Sequence, residues 1–153
     1  WCQCDLDDFI SFHRHHRPSS TLMTMMTFRT PTPATCGIVE LDSDGVVRQF
    51  HEKVSDPPGN LANGAVYLLE PEVVRWVVDR PVVSDFSTEV LPEFLGKIAT
   101  WENIGIHRDI GTVQSLLEAQ EDPQPDCCWP DTDEWMYAYQ NNPVHEQLTS
   151  ATS

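Results

Sequence analysis

Apolar positions along this chain follow a helical spacing in some stretches and a strand spacing in others, and the two kinds of stretch alternate. Leu6, Phe9, Ile10 and Phe12 give one apolar side to residues 5–17. That predicts a helix whose acidic start suits the positive end of the helix dipole. Pro18-Ser19-Ser20 ends it, and residues 21–28, rich in Thr and Met, read as a buried strand. Beyond a loop marked by Pro31 and Pro33, the runs 38–41 and 46–50 flank Asp42-Ser43-Asp44-Gly45. Two β-rich runs around a turn ending in Asp-Gly predict a hairpin. Asp56-Pro57-Pro58-Gly59-Asn60 is a further turn. Residues 65–69 predict a short strand. Pro71 opens a helix over 71–79, since proline is well placed at the first helical position. Residues 87–96 predict a helix that Pro92 bends or shifts, 103–107 a short extended run, and 112–120 a last helix after Gly111.

Alternating strands and helices favour a layered α/β fold, a mixed sheet with flanking helices. A length of 153 residues with 40% hydrophobic side chains supports one domain with a core. Residues 1–120 carry that pattern. Residues 121–153 do not: they hold Glu121, Asp122, Asp126, Asp131, Asp133, Glu134 and Glu146, no Lys or Arg, several prolines and a polar Ser/Thr end. Such a composition suits an extended acidic tail, but Trp129, Trp135, Met136, Tyr137 and Tyr139 are too apolar for a pure linker. Part of this tail is expected to pack on the domain or on a partner.

The net charge is −15, from 24 acidic against 9 basic side chains. A field of that sign repels phosphate backbones and anionic membrane surfaces, which argues against nucleic acid and membrane as partners. Cys2, Cys4, Cys36, Cys127 and Cys128 are odd in number and lack framework spacing, which fits a reducing cytoplasm. No apolar stretch is long enough to span a bilayer, and the acidic, histidine-bearing start is no signal peptide. A chain that opens on Trp1 rather than Met is expected of a fragment or a processed product.

Four short strings hold the candidate chemistry: Glu52-Lys53, Asn63-Gly64-Ala65-Val66-Tyr67, Asp85-Phe86-Ser87-Thr88-Glu89 and Asp109-Ile110-Gly111-Thr112. Each has an ordinary structural reading. Glu52-Lys53 is a solvated charge pair beyond a strand. Asn63-Gly64 is a turn dipeptide. Asp85 or Ser87 caps a helix with Glu89 in its first turn, and Asp109 leads into the last helix. A rival set, Cys2-x-Cys4 with His13, His15 and His16, has soft ligands that suit Zn²⁺. Its spacing is tighter than usual, and cationic side chains at a helix C-terminus explain the histidines adequately.

In order and spacing the four strings resemble the second half of the sugar-1-phosphate nucleotidyltransferases, in the mannose- or heptose-1-phosphate guanylyltransferase style, over residues 5–120. The resemblance implies a partial Rossmann-like nucleotidyltransferase fold. It implies a reaction of a nucleoside triphosphate, GTP by preference, with a sugar-1-phosphate to give a nucleotide sugar and pyrophosphate, assisted by Mg²⁺. By the same resemblance Lys53 contacts the sugar phosphate, and Glu52 and Asn63 contact sugar hydroxyls. Gly64 lets the ligand approach the backbone, Glu89 lines the sugar pocket, Gly37 lies under the sugar, and Asp109 binds the metal. Two departures stand out: Val54 replaces a proline after Glu-Lys, and His107 replaces a tryptophan two residues before the metal aspartate. The glycine-rich phosphate loop of the family's first half is not among these residues, so the chain is expected to be incomplete and inactive alone. A non-catalytic sugar-phosphate-binding or interaction module of the same descent is the alternative. An open strand edge predicts low stability or a homo-oligomer.

Overall fold

The computed structural model describes residues 1–123, and one compact unit spans Trp1–Glu121. The acidic tail therefore lies, from residue 124 onward, outside the described residues, as do Cys127 and Cys128. Helix α1, Leu6–His15, starts as its sequence predicts: the Asp5 carboxylate accepts the Asp8 N–H at 2.9 Å and so satisfies one of the unpaired N–H groups of the first turn. Strand β1, Met23–Arg29, follows and is buried from Met23 through Thr27. It lacks polar alternation because both of its faces are covered. Met23 and Met25 join the core with Val73, Val90, Leu91 and Phe94. Thr24, on the opposite face by the period of two, meets His13 of α1.

Strands β2, Gly37–Leu41, and β3, Val47–Glu52, form the predicted antiparallel hairpin, with a short 3₁₀ turn at Pro33–Thr35 before it. Asp42 organises its turn by accepting the N–H groups of Asp44 and Val46 through Oδ1 and the Arg48 guanidinium through Oδ2. Strand β4, Leu61–Leu69, and helix α2, Pro71–Val78, come next, then β5, Ile98–Glu102, and helix α3, Val113–Glu121. The sheet is mixed, in the order β3-β2-β4-β1-β5. β1 pairs with β4 antiparallel and with β5 parallel.

Three expectations are corrected. The strand near the C-terminal end is Ile98–Glu102 and not 103–107; the latter segment contributes one bridge, between His107 and Cys2. β4 begins at Leu61, earlier than the expected 65, and bulges: Asn63 pairs with Thr27 and Tyr67 with Met25, so Met26 alone stands opposite Gly64, Ala65 and Val66. Ala65 takes the left-handed conformation there, φ +56°. The helix expected over 87–96 is instead a wide π turn, Phe86–Val90, followed by a tight 3₁₀ turn, Leu91–Phe94. Pro92 has no N–H for an α-helical bond, and the backbone divides into turns that do without it. The open edge is also smaller than expected. Val46 bridges Ala99 of β5, the Thr100 N–H and hydroxyl both donate to the Gly45 carbonyl, and the Gly96 N–H donates to Val47 O. The hairpin tip thus covers part of the β5 edge. No described helix is long and apolar enough to cross a membrane.

Candidate functional site

Gly37, Glu52 and Lys53 come together at the end of the hairpin. Gly37 is the register partner of Glu52, and a Cβ on it would lie 2.5 Å from the Phe50 ring and 2.8 Å from Glu52 Oε2. Packing alone therefore accounts for a glycine there. Lys53 leaves the strand in the left-handed conformation, φ +49°, with its N–H donating to Cys36 O at 3.2 Å. Its side chain is 67% exposed, and Nζ lies 3.6 Å from Glu52 Oε1. An ion pair that exposed is worth little, so the ammonium is available for an anionic ligand.

The β4 bulge places Asn63 and Tyr67 beside that strand end. Tyr67 OH donates to Asn63 Oδ1 at 2.9 Å, Asn63 Nδ2 donates to Tyr67 OH at 2.7 Å, and the Ala65 N–H donates to Asn63 Oδ1 at 2.9 Å. The Tyr67 ring lies 4.7 Å from that of Phe86. Burial pushes the Tyr67 phenol above its ordinary value of 10.0; bonds to Asn63 and Ser87 pull it down, and the charges of Glu52 and Asp85 add to the rise. Glu52, Asp85, Ser87 and Asn63 thus all act on one hydroxyl. Asp85 caps the π turn as expected, accepting the Thr88 N–H at 2.7 Å and the Thr88 hydroxyl at 2.8 Å. These bonds hold its carboxyl below the usual value, and the Lys53 charge contributes in the same direction. Glu89 points elsewhere, accepting the Ser84 hydroxyl at 2.8 Å.

Asp109 is set by a different piece of structure. A short antiparallel ladder joins the N-terminal residues to 106–108: Gln3 N donates to Ile106 O and Arg108 N to Trp1 O, each at 2.8 Å. His107 stacks on Phe28, with ring centroids 4.1 Å apart. A Cβ on Gly64 would lie 3.0 Å from Met26 O and 3.3 Å from His107 Cε1, so Gly64 is the floor under that imidazole. Burial holds the His107 pKa below 6.5, and Asp109 opposes this. The ring Nδ1 is buried without a hydrogen-bond partner. Asp109 is exposed, and Oδ1 accepts the Gly111 N–H at 3.1 Å. Arg108 pairs with Glu118 at 2.7 Å. Asp109, His107, Phe28, Thr30 and Cys36 share the wall of one cleft of about 510 Å³. Cys36 connects that cleft to Gly37 and the Lys53 backbone.

Among the described residues no group of three or more His, Cys, Asp or Glu side chains is placed to hold a metal ion. Asp109 offers one carboxylate, a hard oxygen donor that fits Mg²⁺ as one ligand beside waters and substrate phosphates. The rival zinc set is dispersed: His13 Nδ1 is hydrogen-bonded to Thr24 Oγ1 at 2.8 Å, and Cys2 Sγ faces Met26 Sδ at 3.9 Å.

The family model for nucleotidyl transferases matches residues 1–124. The chain is similar to a glucose-1-phosphate adenylyltransferase of Clostridium acetobutylicum, 26% identical over 125 residues, which are 75% of this chain and 32% of that protein. It also superposes on a glucose-1-phosphate thymidylyltransferase structure from Bacillus anthracis, in complex with a sucrose. The TM-score is 0.63 at 17% identity, over 82% of this chain and 52% of that one. The latter likeness is one of fold, a Rossmann-like mixed sheet with flanking helices. The chain spans about a third and about half of the length of these two relatives.

Proposed function

The chain belongs to the nucleotidyl transferase family, and from that premise we propose that it carries the sugar-phosphate side of a sugar-1-phosphate nucleotidyltransferase site. The observation that carries the reading is the convergence of Glu52, Lys53, Asn63 and Tyr67 on one strand end, with Asp109 on the wall of the cleft beside it. Lys53 supplies a mobile, exposed point charge for the sugar phosphate. Glu52 and Asn63 orient sugar hydroxyls, while Gly37 makes room for the Phe50 ring and the Glu52 carboxylate and Gly64 for the His107 ring. Glu89 would line the sugar pocket by resemblance alone, since its carboxylate accepts the Ser84 hydroxyl. A phosphate oxygen of the sugar phosphate bonds to the α-phosphorus of the nucleotide as the bond to the departing pyrophosphate breaks. No covalent enzyme intermediate forms, and positioning with charge neutralisation is the protein's contribution. Asp109 would hold Mg²⁺, which when bound neutralises charge on the phosphates.

By its resemblance to the guanylyltransferase style the Asn63-Gly64-Ala65 string suggests GTP with mannose- or heptose-1-phosphate, whereas the relatives above are named for glucose-1-phosphate with adenylyl and thymidylyl transfer. Calorimetric titration with a panel of sugar-1-phosphates separates these. Binding by the wild-type chain that Lys53→Ala weakens at least tenfold supports the reading. Equal binding by both, or none by either, overturns it. Pyrophosphate release by these residues alone is not expected, because they include no glycine-rich loop for a triphosphate. Mg²⁺-dependent release that Asp109→Asn abolishes would overturn that part. Binding of the sugar phosphate without release would suit a non-catalytic binding module equally.

A further inference from the structure

Residues 1–3 form a strap across the segment that leads into Asp109. Cys2 bridges His107; the Gln3 N–H donates to Ile106 O and the Arg108 N–H to Trp1 O, both at 2.8 Å. The approach is close, since a Cβ on Gly105 would lie 2.4 Å from Gln3 O. Cys2 and Cys4 flank Gln3, and in an extended segment side chains two residues apart lie on one side. The Cys2 thiol donates to Met26 Sδ at 3.9 Å and accepts the Asn103 side-chain amide at 3.6 Å. Cys4 is hydrogen-bonded to Cys2 in turn: burial first, then the charge and hydrogen bond of Cys2, and lastly Asp5 push its thiol up to about 11. Two free cysteines thus meet on the strap itself.

We propose that Cys2 and Cys4 are a reversible thiol–disulfide switch whose closure releases the strap from residues 105–108 and so shifts Asp109 on the cleft wall. The antagonism is geometric. An extended chain puts Cα atoms two residues apart at about 6.5 Å, whereas a disulfide is most relaxed at about 5.5–6 Å. Closing the bond therefore shortens the backbone around Gln3, and the Gln3 N–H leaves Ile106 O. It also withdraws the Cys2 sulfur from Asn103, whose buried amide loses that acceptor. A strained disulfide is readily reduced, the property of a labile bond rather than a structural one. The oxidant is a low-molecular-weight disulfide. Cys2, the more exposed of the two, attacks one of its sulfurs as the thiolate and expels a thiol. Cys4 then gives up its proton, attacks the Cys2 sulfur and expels the second thiol. The two cysteines lose two electrons, and the small disulfide gains them. The switch stands apart from the sugar-phosphate reading, because strap and cysteines are in place whatever the cleft binds.

The test uses the full chain, ¹⁵N-labelled, in glutathione buffers with either the oxidised or the reduced form in excess. Trypsin releases residues 1–14 as one peptide, because Arg14 is the first Lys or Arg of the chain. From the oxidised buffer that peptide is expected to be lighter by two hydrogen atoms, and the reduced buffer should restore it. In the oxidised chain the Gln3 and Arg108 amides should exchange about tenfold faster. The Asn103 side-chain amide and the Gly111 N–H held by Asp109 should shift, while the β1–β4 amides stay as they are. Cys4→Ser cannot close the bond and should carry glutathione on Cys2 instead. No internal bond in the wild type, or one that the reduced buffer does not reopen, overturns the switch. So does an internal bond that leaves Gln3 and Arg108 exchange unchanged, or a Cys4→Ser chain whose Cys2 takes up no glutathione.

Discussion

Lys53 is strained and exposed at once, and the combination separates its structural from its functional value. A left-handed backbone costs an L-residue with a Cβ about 1 kcal/mol or more, and glycine is spared most of this. Because the lysine side chain is largely exposed and paired only loosely with Glu52, little else holds it there. Lys53→Gly is therefore expected to raise unfolding stability by roughly 0.5–1 kcal/mol in urea titration, while lowering sugar-1-phosphate affinity at least tenfold by calorimetry. A variant that loses both would show that the lysine serves the fold. Strain retained at one polar position is the pattern of a working site. Residue roles of this kind were only half legible in the sequence. Asn63 and Tyr67 are an even number of positions apart, a hint that one strand face carries both. The bulge that lets the hydroxyl meet the amide depends on Ala65 adopting φ +56°, which no alanine advertises. His107 was legible as a departure from a tryptophan, but its stacking on Phe28 depends on two segments far apart in sequence.

At the scale of elements, short-range chemistry was readable and long-range coverage was not. The hairpin, α1 and α2 carry their own signals: an Asp-Gly turn, an Asp N-cap and a leading proline. β5 carries none, because a buried parallel strand shows neither alternation nor a turn partner, and Ile98-Ala99 reads as the tail of the preceding turns. What defines β5 is its partners, β1 on one side and the hairpin tip on the other. Thr100→Val removes the hydroxyl that donates to Gly45 O and is expected to cost about 1 kcal/mol. The loss should show as faster hydrogen exchange at the Thr100 amide, with the β1–β4 amides unchanged. The docking of α1 is pH-sensitive in a definite direction. His13 lies between Thr24, Arg17 and Glu70, and burial, then the Arg17 charge, holds its pKa below 6.5, with Glu70 opposing and Arg14 adding to the depression. The unfolded chain therefore binds more protons than the folded one as pH falls through 6.5, so His13 destabilises the fold there and stability rises with pH. The melting temperature should fall between pH 7.5 and pH 5.5, with a smaller fall in His13→Gln. The carboxylates held low, Asp42 and Asp85, act below 3.8 and leave this window alone.

For the whole molecule, a net charge of −15 opposes the anion that the proposed sugar-phosphate site would accept. The two opposing electrostatic effects differ in range. Repulsion from the distributed carboxylates acts across the molecule and is cut off by a Debye length of about 10 Å at 0.1 M salt. Contact between Lys53 and a phosphate acts within a few ångströms and is screened less. Salt should therefore weaken the repulsion before it weakens the attraction. Sugar-1-phosphate affinity, measured without Mg²⁺, is expected to rise about twofold between roughly 20 and 150 mM NaCl, the reverse of ordinary anion binding to a basic site. Converting the seven acidic side chains of residues 121–153 to amides removes close to half of the net negative charge. That variant should bind more tightly at low salt and respond less to added salt. Affinity that falls steadily with salt in the wild type would mean that cations at the site outweigh the molecular field, and the acidic composition would then bear on solubility rather than on binding.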